Sequence, residues 1–292
     1  MATRLQIAKP DILRHFDGLP SKILKPTQLK RILTEQRGFW RLAQNTNTKA
    51  FIDFLVEAGK LQELRFPFPY RPETRYVWGL VPLLEIIGSL KEDGYFTHYT
   101  AMRIHGLTEQ LPKTIYLNHE QRPHVQSGEL AQRSLDIAFK AKPRISNNMI
   151  EFGDVRICLV NGMHTGALGV VEEEAVYDDN QPARVRVTNI ERTLIDITVR
   201  PVYAGGVAEV LKAFQQARER ASVNRLAAML QKLNYLYPYH QAIGFYLERA
   251  GYSPSAVDLM RQFPMEFDFY LTHQMGKTDY VPDWRLHIPQ GF

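Results

Sequence analysis

The 292 residues contain one cysteine, Cys158, so no disulfide can form within the chain, and a disulfide-stapled secreted domain is not what this composition describes. Cys158 sits in the apolar run Val155-Arg-Ile-Cys-Leu-Val160 with no cationic neighbour placed to make it a thiolate, and it reads as a buried small hydrophobe. Long hydrophobic runs are missing too. The best, residues 80–87, is broken by Pro82 and Glu85, far short of the roughly 18 apolar residues a membrane span needs. The first 16 residues alternate charges with short apolar pairs and carry no secretory core of about 7 to 15 apolar residues. A cytoplasmic protein with no membrane partner is expected.

Signatures of chemistry are equally sparse. Gly-x-Ser-x-Gly and His-Glu-x-x-His are absent, and Ala204-Gly205-Gly206-Val207 lacks the further Gly, Lys and Ser/Thr of a phosphate loop. The nine histidines are scattered. His98 and His105, the most regular pair, have no Cys or acid at metal-ligand spacing. No metal, no cofactor and no catalytic residue is expected, and the chain reads as a binder. The runner-up is a metal-dependent nuclease or other nucleic-acid-processing enzyme, with its carboxylates drawn from Glu172, Glu173, Glu174, Asp178 and Asp179. Consecutive acids, however, point to different sides of a chain and usually form a solvated edge.

What is present is an ordinary core and an uneven charge. Hydrophobic residues at 45% and charged residues at 23% are those of a folded soluble chain, and the length suits two domains. The formal net charge is +5, yet residues 1–80 hold 14 Lys and Arg against 7 Asp and Glu, while residues 81–292 hold 22 against 24. All of the positive excess is at the front, as an electrostatic footprint for a phosphate backbone would be.

Residues 1–80 read as three helices and a hairpin. A first short helix at 11–16 is closed by Gly18 and Pro20. A second opens at Pro26-Thr27 with Leu29, Ile32 and Leu33 on one face, and a third begins after the cap-rich 44–48 and runs to about residue 58. Two strand-like runs, 60–66 and 75–78, flank the proline-rich 67–72. This is the order of a winged helix-turn-helix, whose third helix enters the major groove by its N-terminus while the wing touches the backbone. Asn45, Thr46, Asn47, Thr48 and Lys49 would then face bases or phosphates, and Arg37, Arg41, Arg65, Arg71 and Arg75 would hold phosphates. The linker through Phe39 and Trp40 is longer and more aromatic than a minimal helix-turn-helix turn.

Residues 81–292 read as a larger mixed α/β domain, which makes the chain α+β. A short helix follows Thr97; strands are expected at 114–118, 134–139, 149–152, 155–160 and 183–187, and four or five consecutive helices fill 190–263. Thr188-Asn-Ile-Glu191 matches a capping box, and Arg192 with Asp196 makes an i, i+4 pair worth about 0.2–0.5 kcal/mol on an isolated helix.

Two segments carry a family likeness. Tyr95-Phe-Thr-His-Tyr-Thr-Ala-Met-Arg-Ile-His-Gly-Leu-Thr-Glu-Gln-Leu-Pro-Lys-Thr-Ile-Tyr-Leu-Asn118 resembles the His-Gly-Leu-Thr segment of the AbiEi family of abortive-infection antitoxins. Arg186-Val-Thr-Asn-Ile-Glu-Arg-Thr-Leu-Ile-Asp-Ile-Thr-Val-Arg-Pro201, with the following Gly205-Gly206, is similar to that family's Glu-Arg-Thr-Leu-x-Asp helix and glycine turn. The resemblance implies a type IV toxin-antitoxin regulator of phage defence. Its winged helix would bind inverted repeats of double-stranded DNA in its own promoter, and its C-terminal domain would counteract a cognate nucleotidyltransferase-like toxin. For that second role the basic helix with Lys212, Arg218 and Arg220 is the candidate surface.

Overall fold

The computed structural model describes residues 3–123, 130–177 and 181–292, and it is α+β, with eleven α-helices and three sheets among those residues. It divides into two compact units, one made of Met1–Glu92 with Val176–Ala183, the other of Asp93–Ala175 with Arg184–Phe292. The division therefore falls after residue 92 instead of residue 80, because residues 83–88 form a helix that belongs to the first unit.

Unit 1 runs α1 (Arg4–Asp17), β1 (Ile23–Leu24), α2 (Pro26–Gln36), α3 (Thr48–Glu57), β2 (Leu61–Phe66), β3 (Glu73–Trp78) and α4 (Leu83–Gly88). Helix α1 begins seven residues before the expected start. Thr3 and Gln6 close a capping box there, and Pro10 is carried inside the helix. Its inner face, Ala8, Ile12 and Phe16, packs with Leu29, Ile32 and Leu33 of α2 and with Phe51 and Leu55 of α3. Strands β2 and β3 pair antiparallel from Leu61 opposite Trp78 to Phe66 opposite Glu73, and β1 adds to the other edge of β3. A polar clasp joins the start and end of the unit. Asp17 accepts from Trp78 Nε1 at 2.8 Å and from Lys60 at 2.9 Å, and these donors hold its carboxyl below the ordinary range.

Unit 2 runs β4 (Tyr95–Phe96), α5 (His98–Ile104), β5 (Thr114–Glu120), α6 (Gln132–Lys140), β6 (Met149–Phe152), β7 (Val155–Gly162), β8 (Val170–Val176) and β9 (Pro182–Thr188), apart from the ends of these two strands that count with unit 1, then α7 (Ile190–Val199), α8 (Val207–Ala217), α9 (Val223–Leu233), α10 (Tyr239–Arg249), α11 (Pro254–Arg261), β10 (Phe269–Tyr270), β11 (Thr278–Val281) and β12 (Leu286–Pro289). Six strands form one mixed sheet in the order β6-β7-β5-β4-β9-β8, with β5 parallel to β7 and β4 parallel to β9. A small sheet, β10-β12-β11, follows the helices and was not foreseen from its short runs.

One expected strand is a helix. Residues 134–139 alternate Leu135, Ile137 and Phe139, which suggested period 2, but in α6 only Leu135 and Phe139, one helical turn apart, are buried, while Ile137 is exposed. The capping box at 188–191 is also corrected. The N-cap of α7 is Asn189, whose side chain accepts from Arg192 N, and Glu191 instead accepts from Ser222 N and Arg225. The tight entry to α8 needs its glycines, since Gly205 and Gly206 have φ of 79° and 93°.

Helix α7 is buried from Glu191 to Thr198 and packs against α5, α8, α9 and α10. Its polar side chains are satisfied internally. Arg192 Nε donates to Asp196 at 2.7 Å, Thr97 donates to the other oxygen of Asp196 at 2.9 Å, and a further guanidinium nitrogen of Arg192 donates to Leu168 O at 2.7 Å. Beside them Glu120 accepts from Tyr95 and from the hydroxyl and amides of 165–167. Burial pushes the Glu120 carboxyl up, but these donors outweigh it and leave it below its ordinary value.

Close packing at the end of the helical layer gives a direct test. Gly244 of α10 lies under the Trp284 ring, and a Cβ there would fall 2.1 Å from Cζ3. Trp284 cannot swing away freely, because its Nε1 donates to Glu248 at 2.7 Å and Arg261 covers its face at 4.8 Å. Gly244→Ala is expected to lower stability by about 2–3 kcal/mol despite the better helix propensity of alanine. Urea unfolding checks this, and a neutral or stabilising effect would show that the ring contact is loose.

Candidate nucleic-acid interface

The segment between α2 and α3 is shaped by three residues. Trp40 is buried and stacks on Phe51 at 5.7 Å, so the aromatic linker is an anchor of the core, while Phe39 is left exposed. Arg37, at the end of α2, reaches across the loop and donates to the carbonyl oxygens of Ala43, Gln44 and Thr46. Asn47 then caps α3, its Oδ1 accepting from Ala50 N at 2.8 Å. The bend thus delivers Asn45, Thr46, Asn47, Thr48 and Lys49 together at the N-terminal turn of α3, with Asn45, Asn47 and Lys49 exposed and Thr46 and Thr48 half-buried.

The arginines divide by what already occupies them. Arg41 is exposed at φ 50° in the same loop, and its side chain has no acceptor among the described residues. Arg65 on β2 and Arg71 in the hairpin loop are exposed, facing Glu63 at 2.7 Å and Glu73 at 3.8 Å. Lys49 is exposed and pairs with Asp53 at 2.8 Å. Solvated pairs of this kind are worth about 0–1 kcal/mol and yield easily to a phosphate. Two residues of the expected set are corrected. Arg75 is 3% exposed, with its guanidinium spent on Glu73 and on the carbonyl oxygens of Thr74, Ser89 and Leu90, so it fixes α4 against the hairpin within unit 1 and is closed to a ligand. Arg37 is the loop strap just described, and a phosphate would have to displace three carbonyls to reach all of it.

The basic residues of and beyond α8 are already engaged. Lys212 pairs with Glu209 at 2.7 Å, Arg218 with Glu219 at 2.9 Å, and Arg220, beyond the end of α8, donates to the carbonyl of His105. The acidic run lies on β8, where Glu172 pairs with Arg184 at 2.7 Å and Glu173 faces His105 at 3.6 Å. Neighbouring residues of a strand alternate between its two sides. Asp178 and Asp179 lie outside the described residues, and among those described no group of three His, Cys, Asp or Glu is placed to hold a metal ion. Cys158 is fully buried, and burial pushes its thiol up to about 11. No described helix is long and apolar enough to cross a membrane.

No family model and no curated protein matches the sequence. Among solved structures, the chain is similar to the RV2827C protein from Mycobacterium tuberculosis, with a TM-score of 0.62 and 13% identity over 98% of this chain and 93% of that one. At that identity the likeness shows the fold and nothing further.

Proposed function

We propose that the chain is a DNA-binding regulator whose unit 1 acts as a winged helix-turn-helix. The observation that carries this reading is the α3 N-terminal turn, where Asn45, Asn47, Thr48 and Lys49 stand together at the positive end of a helix. The order helix, strand, helix, helix and hairpin, the sheet β1-β3-β2 and the exposed Arg65 and Arg71 on the hairpin support it. So does the positive excess confined to residues 1–80.

The likeness of 95–118 and 186–201 to the AbiEi antitoxins extends the proposal. The protein represses its own operon in the cytoplasm by binding inverted repeats, and unit 2 counteracts a nucleotidyltransferase-like toxin. Of the basic residues suggested for that contact, Lys212 and Arg218 hold solvated pairs that a partner could displace, whereas Arg220 is spent on the His105 carbonyl.

Binding of the full chain to DNA from its own upstream region, against a scrambled duplex over a salt series, tests the first part. A preference of about a thousandfold or more is expected, as for specific binders. Lys49→Ala and Arg71→Ala should each weaken binding and lower the salt slope by roughly one. Arg75→Ala should leave the slope unchanged and act through stability. Equal, weak binding to both duplexes would overturn the reading.

A further inference from the structure

Unit 2 contains a cavity of about 680 Å³ that nothing in the DNA reading uses. It is of the size that takes a drug-sized or nucleotide-sized ligand, roughly 300–1,000 Å³. Three arginines and one aspartate line it. Arg192 and Asp196 neutralise each other at 2.7 Å, whereas Arg144 and Arg200 have no hydrogen-bond acceptor or acidic partner among the described residues. Two guanidinium groups lining one cavity without a carboxylate beside them suit an anionic ligand. Arginine's planar fork suits phosphate oxygens above other anions of that size.

The lining also carries a hydrogen-bonding group that the protein leaves unused. His98, 7% exposed, lines the cavity with its ring kept neutral, burial lowering its pKa to about 4, but its Nδ1 is enclosed by protein and does not open onto the space. Asn118, 4% exposed, spends Oδ1 on Gly162 N at 2.9 Å, and its amide NH2 has no acceptor among the described residues. Polar groups inside a protein are nearly always paired, so an open amide facing a cavity points to a ligand that completes it. Part of the lining is aromatic or aliphatic. Tyr237 lines one side, and Ile145 and Leu236, each 47% exposed, stand uncovered where the cavity meets solvent.

We propose that this cavity binds a nucleoside phosphate, the phosphates held by Arg144 and Arg200 and the base lying against Tyr237, Ile145 and Leu236 with its edge toward Asn118. A phosphate without a base would leave the apolar lining and the Asn118 amide unused. An apolar ligand would leave the arginines without a partner.

Calorimetric titration of the full chain with ATP, GTP, CTP and UTP, and with inorganic tripolyphosphate as the base-free probe, tests this. At least one nucleotide should bind with a Kd below about 1 mM and at least about tenfold tighter than tripolyphosphate. Arg200→Ala should weaken it about tenfold or more, the loss of a charge-assisted bond. Lys232→Ala, which removes the same charge from the exposed face of α9, should leave it unchanged. Asn118→Asp keeps the acceptor for Gly162 N but removes the amide donor, and it should change which nucleotide binds best. Thermal unfolding of each variant identifies one that fails to fold, in which case Arg144→Ala carries the same test at an exposed position. No binding of any nucleotide at millimolar concentration, equal affinity for tripolyphosphate, or binding indifferent to Arg200→Ala with the fold intact would each overturn the proposal.

Discussion

Arg192→Ala is expected to lower the stability of unit 2 by about 3–5 kcal/mol, because it leaves the Asp196 carboxylate buried without its cation. The two side chains are 5% and 8% exposed and meet at 2.7 Å. Burial works against the charge on Arg192, but Asp196 outweighs it and raises the guanidinium above its ordinary value. Thr97 satisfies only one oxygen of Asp196, and the carbonyl of Leu168 would lose its donor as well. Denaturant unfolding followed by circular dichroism measures the loss. The double replacement Arg192→Met with Asp196→Leu should recover much of it, since no buried charge then remains. A loss under about 0.5 kcal/mol, as for an i, i+4 pair on an isolated helix, would mean that the pair is solvated.

Stability should also fall steeply as the solution is acidified from pH 6.5 to 4. His98 and His240 are both buried, and burial lowers each to about 4 from an ordinary 6.5. The unfolded chain therefore binds two more protons than the folded one across that interval. The contribution is complete above pH 6.5, is lost progressively as pH drops, and stops changing below 4, where both states are protonated. It amounts to about 3 kcal/mol per histidine. For His98 the nearby Asp196 opposes the shift, while Arg200 and Arg192 add to it. His240 stacks on Phe263 at 5.2 Å and is bonded to the Pro264 backbone, which opposes its shift only in part. Urea midpoints at pH 7.5, 6, 5 and 4 read the effect, and His240→Leu should roughly halve the slope. A flat profile between pH 7 and 5 would show that water reaches both rings.

Local rules recovered many of the helices. Leu29, Ile32 and Leu33 repeat at helical spacing, Asn47 and Ser222 sit where an N-cap is needed, and Ser253-Pro254 opens α11, each visible within a few residues. Short or ambiguous segments went astray. Residues 134–139 satisfy both a strand and a helix period until the burial of Leu135 and Phe139 decides between them. Strand β10 has two residues, and it owes its pairing to β12, 17 positions later, which no local pattern announces. The candidate DNA-facing turn at 45–49 was legible because capping chemistry and charge are local. The fate of Arg37 and Arg75 was not, since an arginine on a basic segment looks the same whether it faces solvent or three backbone carbonyls.

The order of residues by itself determined the α+β composition, the basic front of the chain and the cap-rich start of α3. These follow from side-chain period, capping and charge, which act over one or two turns. Tertiary structure alone decided which polar groups are spent and which are open. Arg192 and Asp196, a weak pair on an isolated helix, became a buried pair because α5, α8, α9 and α10 close around α7. His98, Asn118, Arg144 and Arg200 come from four separate stretches of unit 2, and only the closing of its sheet and helices places them around one cavity. Burial and the removal of water are properties of everything packed around a residue, and a stretch of sequence carries no record of neighbours a hundred positions away.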